Sequence, residues 1–141
     1  MFIGHPTQYR KEIINNLKRD GVQVNFVGET KSVHGPEREK VIKNAKINLV
    51  LHNNQLYRPY PQDISRIFTC GAKHCFMISE PIGDCPIQSL VQCELDQLSD
   101  TIKMYLADPV KRQQNVDDVY KEIRLLTMAA EISKNREKML V

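Results

Sequence analysis

No apolar run in the 141 residues approaches the roughly 20 that a membrane-spanning helix needs. The opening stretch, MFIGHPTQYRKEI, has too short an apolar run for a secretory signal. Charge of one sign is also scarce. Twenty Lys and Arg against 17 Asp and Glu leave a formal charge of +3, with no dense basic block, which argues against a nucleic-acid partner. Cysteine is sparse: Cys70, Cys75, Cys85 and Cys93 form no CxxC pair, and the histidine spacing fits no zinc pattern. Reduced cysteines serving as small apolar side chains are expected, which suits a reducing, cytoplasmic compartment. No metal-ligating cluster stands out, so metal-independent chemistry is expected. Internal repeats and low-complexity segments are missing as well.

What is present suffices for one domain. Hydrophobic residues make up 41% of the chain, enough for a core but not for two. Residues 46–83 organise the rest. Ile47 to Leu51 form a short apolar run bounded by polar residues, as in a strand buried on both faces. A polar loop beginning His52-Asn53-Asn54-Gln55 follows. Pro61 and Asp63 suit a helix start, and Ile64, Ile67 and Phe68 supply its stripe. Cys70-Gly71-Ala72 ends the helix, and residues 75–78 read as a second buried strand. Two buried strands joined by a helix make the crossover unit of a parallel sheet. Ligands of such sheets sit beyond the carboxyl ends of the strands, here residues 52–63 and 79–84.

The flanks extend the alternation. Phe2-Ile3 reads as a strand. A helix to about Lys18 carries Ile13, Ile14 and Leu17 on one face. Residues 22–28 read as a strand, and residues 36–45 as a helix with Pro36 near its first position and Val41, Ile42 and Ala45 inward. A loop is expected from Asp84 to Glu94. Asp96 then caps a helix with Leu98, Ile102, Tyr105 and Leu106 inward, and Asp108-Pro109 breaks it. A last helix carries Val116, Val119, Tyr120, Ile123 and Leu126. The expectation is an α/β, Rossmann-like domain over residues 1–128, with a mostly parallel sheet of about four strands and helices on both faces. Residues 129–141 form a charged tail.

Several segments carry a resemblance. Gly4 is followed by Tyr9-Arg10. Val24-Asn25-Phe26-Val27-Gly28 is similar to a V-x-F-x-G strand end, and Ala45-Lys46-Ile47-Asn48-Leu49 to an S/A-K-I-x-L-N strand. Arg66-Ile67-Phe68 leads to Cys70-Gly71 and Met77-Ile78. Leu95-Asp96-Gln97-Leu98 leads to Tyr105-Leu106-Ala107-Asp108-Pro109. In this order, over residues 1 to 125, they resemble the C-terminal, nucleotide-sugar-binding half of two-domain glycosyltransferases of the CgeB-like, group 1 type. The resemblance implies a nucleotide-diphosphate sugar as donor substrate and no separate cofactor. It also implies an acceptor site on a missing N-terminal domain or a partner chain. Two departures stand out. The family's ribose-binding glutamate, five residues before the helix glycine, is replaced by Arg66. The acceptor domain, which commonly supplies the catalytic base, is not in this sequence.

The candidate donor-binding residues are Gly4, Arg10, His52, Gln62, Asp63, Arg66 and Glu80. Arginine forks match the paired oxygens of a diphosphate, so Arg10 and Arg66 suit that role; each is equally readable as a solvated or ion-paired surface arginine. Gly4 permits close backbone approach, or makes a simple turn. Gln62 and Asp63 open the central helix, a natural anion site, though Asp63 also reads as its N-cap. His52 and Glu80 end strands at the ligand edge and could meet a sugar, or serve the fold. The alternative to a transferase is a non-catalytic interaction module that keeps the fold and has lost the donor site. A receiver-like regulator is disfavoured, because Ile3-Gly4-His5 stands where its acidic cluster belongs.

Overall fold

A computed structural model describes residues 1–28, 33–54 and 64–126. In chain order the elements are β1 (Phe2–Ile3), α1 (Gln8–Arg19), β2 (Phe26–Val27), α2 (Gly35–Asn44) and β3 (Asn48–Val50). Then come α3 (Ile64–Ala72), β4 (Met77–Ser79), β5 (Val91–Gln92), α4 (Leu98–Ala107) and α5 (Pro109–Leu125). The strands form one parallel sheet in the order β2-β1-β3-β4-β5. This is an α/β, Rossmann-like domain with helices on both faces, as the sequence implies.

Side-chain alternation explains why the central strands are buried twice. Phe2, Leu49, Leu51, Phe76 and Ile78 point to one face, where α1 and α4 supply Ile13, Ile14, Leu17, Leu98 and Ile102. Val50 and Met77 point to the other, where α2 and α3 supply Ile42, Ile67 and Cys70. A strand with both faces covered needs apolar residues at successive positions. Helix α5 serves both cores, placing Val116 in the first and Val119 and Ile123 in the second. Asp108 separates α4 from α5 by capping the latter: its Oδ1 accepts from Lys111 N–H at 2.9 Å, and Pro109 occupies the first turn. Burial pushes the Cys70 thiol up to about 11, and all four cysteines are unpaired.

Several details differ from expectation. The sheet has five strands rather than four, because Val91–Gln92 pairs with β4 inside the expected loop. Two residues carry no readable period, and the strand is fixed from outside itself. The Glu122 carboxylate on α5 accepts from Ser89 N–H at 2.9 Å, and Asn115 Nδ2 donates to Ser89 O at 2.6 Å. Those bonds hold the β4–β5 connection against α5. β2 is shorter than residues 22–28 suggest, since Val22 N–H is engaged by Leu17 O at 2.9 Å as the chain leaves α1. Asp96 lies in a turn, and Gln97 is the N-cap position of α4. Leu106 and Leu126 face outward, 43% and 39% exposed, because each sits at the end of its helix beyond the packed stripe. Residues 61–63, including Gln62 and Asp63, lie outside the described residues, as do residues 129–141. Among the described residues, no helix is long and apolar enough to cross a membrane.

This packing predicts a contrast between two leucine-sized deletions. Ile78→Ala, at a fully buried site on β4, should cost about 2–5 kcal/mol. Leu106→Ala should cost about 1 kcal/mol or less. Urea unfolding of the purified variants checks both values; equal losses would put Leu106 in the core after all.

Candidate functional site

The carboxyl ends of the strands bring together four stretches: Gly4-His5 after β1, Gly28 after β2, Leu51-His52 after β3 and Glu80-Pro81 after β4. The chain leaves β1 toward β2 on one side of the sheet and leaves β3 toward β4 on the other. β1 and β3 are neighbours, so the connections diverge between them. That divergence opens a crevice where doubly wound sheets commonly hold their ligands.

Here the crevice holds a side chain of the protein itself. Thr7 caps α1, its Oγ1 accepting from Arg10 N–H at 3.3 Å. This sets Arg10 in the first turn, beside the end of β3. Arg10 is 3% exposed. Arg10 Nη2 donates to Leu51 O at 2.7 Å, Nε to His52 O at 2.9 Å, and Nη1 to His5 O at 3.2 Å. It also lies over the Phe2 ring, 5.0 Å from the centroid. Three carbonyls past the ends of β1 and β3 therefore converge on one planar fork, a match that arginine geometry permits and lysine does not.

Glu80 completes this layer from β4. It is fully buried. Its Oε2 accepts from His52 N–H at 2.7 Å and its Oε1 from the Tyr9 hydroxyl at 2.5 Å. His52, 1% exposed, bonds Pro81 O through Nε2 at 2.9 Å. A carbonyl only accepts, so that nitrogen carries the proton. Nδ1 is buried with no hydrogen-bond partner among the described residues.

Beside this layer, between the ends of β1 and β2, lies an open cleft of about 290 Å³. Arg38 from the first turns of α2 and Arg66 from the start of α3 both line it, with His5 and His34 and the backbone of Gly4 and Gly28. No carboxylate is among its described lining residues. Arg66 lies 5.5 Å from the Phe2 centroid, so one buried ring supports both Arg10 and Arg66. The floor must be free of side chains. Gly28 has φ +111°, and a Cβ there would meet Gly4 O at 2.5 Å; a Cβ on Gly4 would meet Phe2 Cζ at 2.8 Å. Two guanidinium groups beside glycine backbone have the chemistry to meet a compact anion, although Arg66 Nε and Nη1 are themselves buried.

The candidates thus divide. Gly4 and Arg66 line the open cleft; Arg10, His52 and Glu80 form the buried layer next to it; Gln62 and Asp63 lie outside the described residues. Neither Arg38 nor Tyr9 is among the candidate site residues read from the sequence. Arg38 had a signal: it follows Pro36 by two residues, which puts it in the first turn of a helix starting at the ligand edge. Tyr9 had none, because its partner Glu80 lies 71 residues away. Among the described residues, no group of three His, Cys, Asp or Glu side chains could hold a metal ion.

The buried layer predicts large stability effects at residues that look superficial in the sequence. Arg10→Ala should cost about 3–5 kcal/mol, since it strips donors from buried carbonyls and upsets a buried charged layer. Arg10→Lys should recover only a minor part, because a single ammonium nitrogen does not reproduce the planar spread of Nε, Nη1 and Nη2 that the three carbonyls meet. Gly28→Ala should cost about 1–3 kcal/mol through positive φ and the clash with Gly4. Denaturant titrations of the three variants check these values; a near-neutral Arg10→Ala would mean the carbonyls are satisfied without it. Comparison of the chain with protein-family models, curated proteins and solved structures finds no match, which leaves the chain's own geometry as the ground for a functional reading.

Proposed function

We propose that the domain binds a nucleotide-diphosphate sugar at its carboxyl-edge cleft and acts as the donor half of a glycosyltransferase, with the acceptor site on a second domain or chain. The convergence of Arg38 and Arg66 on a cleft floored by Gly4 and Gly28 carries this reading. A diphosphate offers paired anionic oxygens that suit guanidinium forks. When the glycosidic bond breaks, negative charge grows on the departing nucleoside diphosphate. Two cations at that point would stabilise the transition state more than the ground state. The arginines thus take the charge-neutralising part that a metal plays elsewhere. The bare glycine backbone lets the phosphates approach closely.

A second reading, a non-catalytic interaction module, has one observation in its favour. Among the described residues of this edge, the carboxylate best placed for a sugar, Glu80, is fully buried with both oxygens engaged by His52 and Tyr9. Arg66 stands where a ribose-binding glutamate would be.

Titration of the purified chain with UDP, GDP and TDP sugars separates the two. A ligand at ~100 times its dissociation constant should raise stability by roughly 2.7 kcal/mol in a thermal-shift assay. Arg38→Ala and Arg66→Ala should each weaken binding at least about tenfold. Absence of binding by every nucleotide at millimolar concentration would favour the interaction module.

A further inference from the structure

The amino-terminal edge of the sheet, opposite the cleft, contains a cavity of about 470 Å³. It is bounded by the segments entering β1, β2 and β3, by the end of α2 and by α4. Its volume falls in the range of small-molecule sites. Its apolar walls are recessed: Val22, Ile47, Leu49 and Ile102 are each at most 6% exposed. Nearer the surface the lining is apolar too: Met1, Val24 and Val41 are half-buried, and Leu106 is exposed at the lip. The mouth is polar. Gln23, Asn25, Asn44 and Lys46 are all exposed, and Lys46 is the one charged side chain among the described lining residues.

We propose that this cavity binds an amphipathic carboxylate of the medium-chain fatty-acid class, with the alkyl chain against the recessed walls and the head group at Lys46. A macromolecular partner would require apolar side chains standing at the surface, where they can be covered. Here four of the apolar lining side chains, Val22, Ile47, Leu49 and Ile102, lie behind it, in reach of a narrow chain. The rim supplies one cation and three carboxamides, whose N–H groups can donate to a carboxylate. No acidic side chain on the described lining opposes it. This site shares no lining residue with the carboxyl-edge cleft, so it stands or falls independently of the donor-binding reading.

Calorimetric titration of the full chain with hexanoate, octanoate and decanoate, below their micellar concentrations, tests the proposal. Each added methylene should tighten binding by about twofold to fourfold, given the free energy of burying one. Decanoate should bind more tightly than decanol. Lys46→Glu, an exposed change that should leave the circular dichroism spectrum intact, should reverse the preference in favour of decylammonium. Ala45→Trp, which fills the cavity, should abolish binding. Affinity independent of chain length, or unaltered head-group preference in Lys46→Glu, would overturn the proposal. So would a lack of decanoate binding accompanied by dimerisation in sedimentation, which would make a second copy the cover of this edge.

Discussion

The carboxyl edge of this domain depends on one buried guanidinium. Parallel strands end in carbonyl groups that have no further ladder to join, and a diverging chain leaves them in a crevice. Leu51 O and His52 O are in that position, 41 and 42 residues along the chain from Arg10. Left unpaired in a buried setting, each would cost about 1–3 kcal/mol. Arg10 satisfies both and ties them to His5 O in the turn after β1. The charge it brings would be expensive alone. The carbonyl dipoles, the Phe2 ring and the nearby buried Glu80 layer together make it tolerable.

This arrangement decides where a ligand can go. The β1–β3 crevice is filled from within, so the open space lies one strand over, between the ends of β1 and β2. The filled and the open site share Phe2, whose ring carries Arg10 at 5.0 Å and Arg66 at 5.5 Å. Gly4 also belongs to both, since a side chain there would collide with Phe2 and crowd Arg10 Nη1 at 3.3 Å. A rigid interior thus sets the floor of the cleft, while its two cations come from helices on the far face. The proposed donor site is accordingly a product of the sheet's topology as much as of any local motif.

How much of this the sequence disclosed follows from the range of the interactions. β3 and β4 were legible because burial on both faces forces a continuous apolar run. Helix α1 was legible because Ile13, Ile14 and Leu17 repeat with the helical period. β5 was not, because Val91–Gln92 is held by Glu122 and Asn115 of α5 rather than by its own pattern. The outward turn of Leu106 was hidden by a period that continues past the last packed turn. At the site, Gly4 and Arg66 could be named from local context, and the structure brings them into one cleft. The partners of Arg10 could not be named, since no local rule links a first-turn arginine to carbonyls more than forty residues away. Arg38 was reachable from Pro36, but only the sheet order reveals that its helix starts beside Arg66.

The anion cleft is tested most directly by amide and guanidinium chemical-shift mapping while inorganic pyrophosphate is added to isotopically labelled protein. Binding in the cleft should move the amides of Gly4 and Gly28 and the side chains of Arg38 and Arg66, with Leu51, His52 and Arg10 Nε unmoved. Movement concentrated at Leu51, His52 and Arg10, with Gly4 and Gly28 still, would contradict it. The anion would then displace the guanidinium from its carbonyls, and the crevice between β1 and β3 would be the binding site.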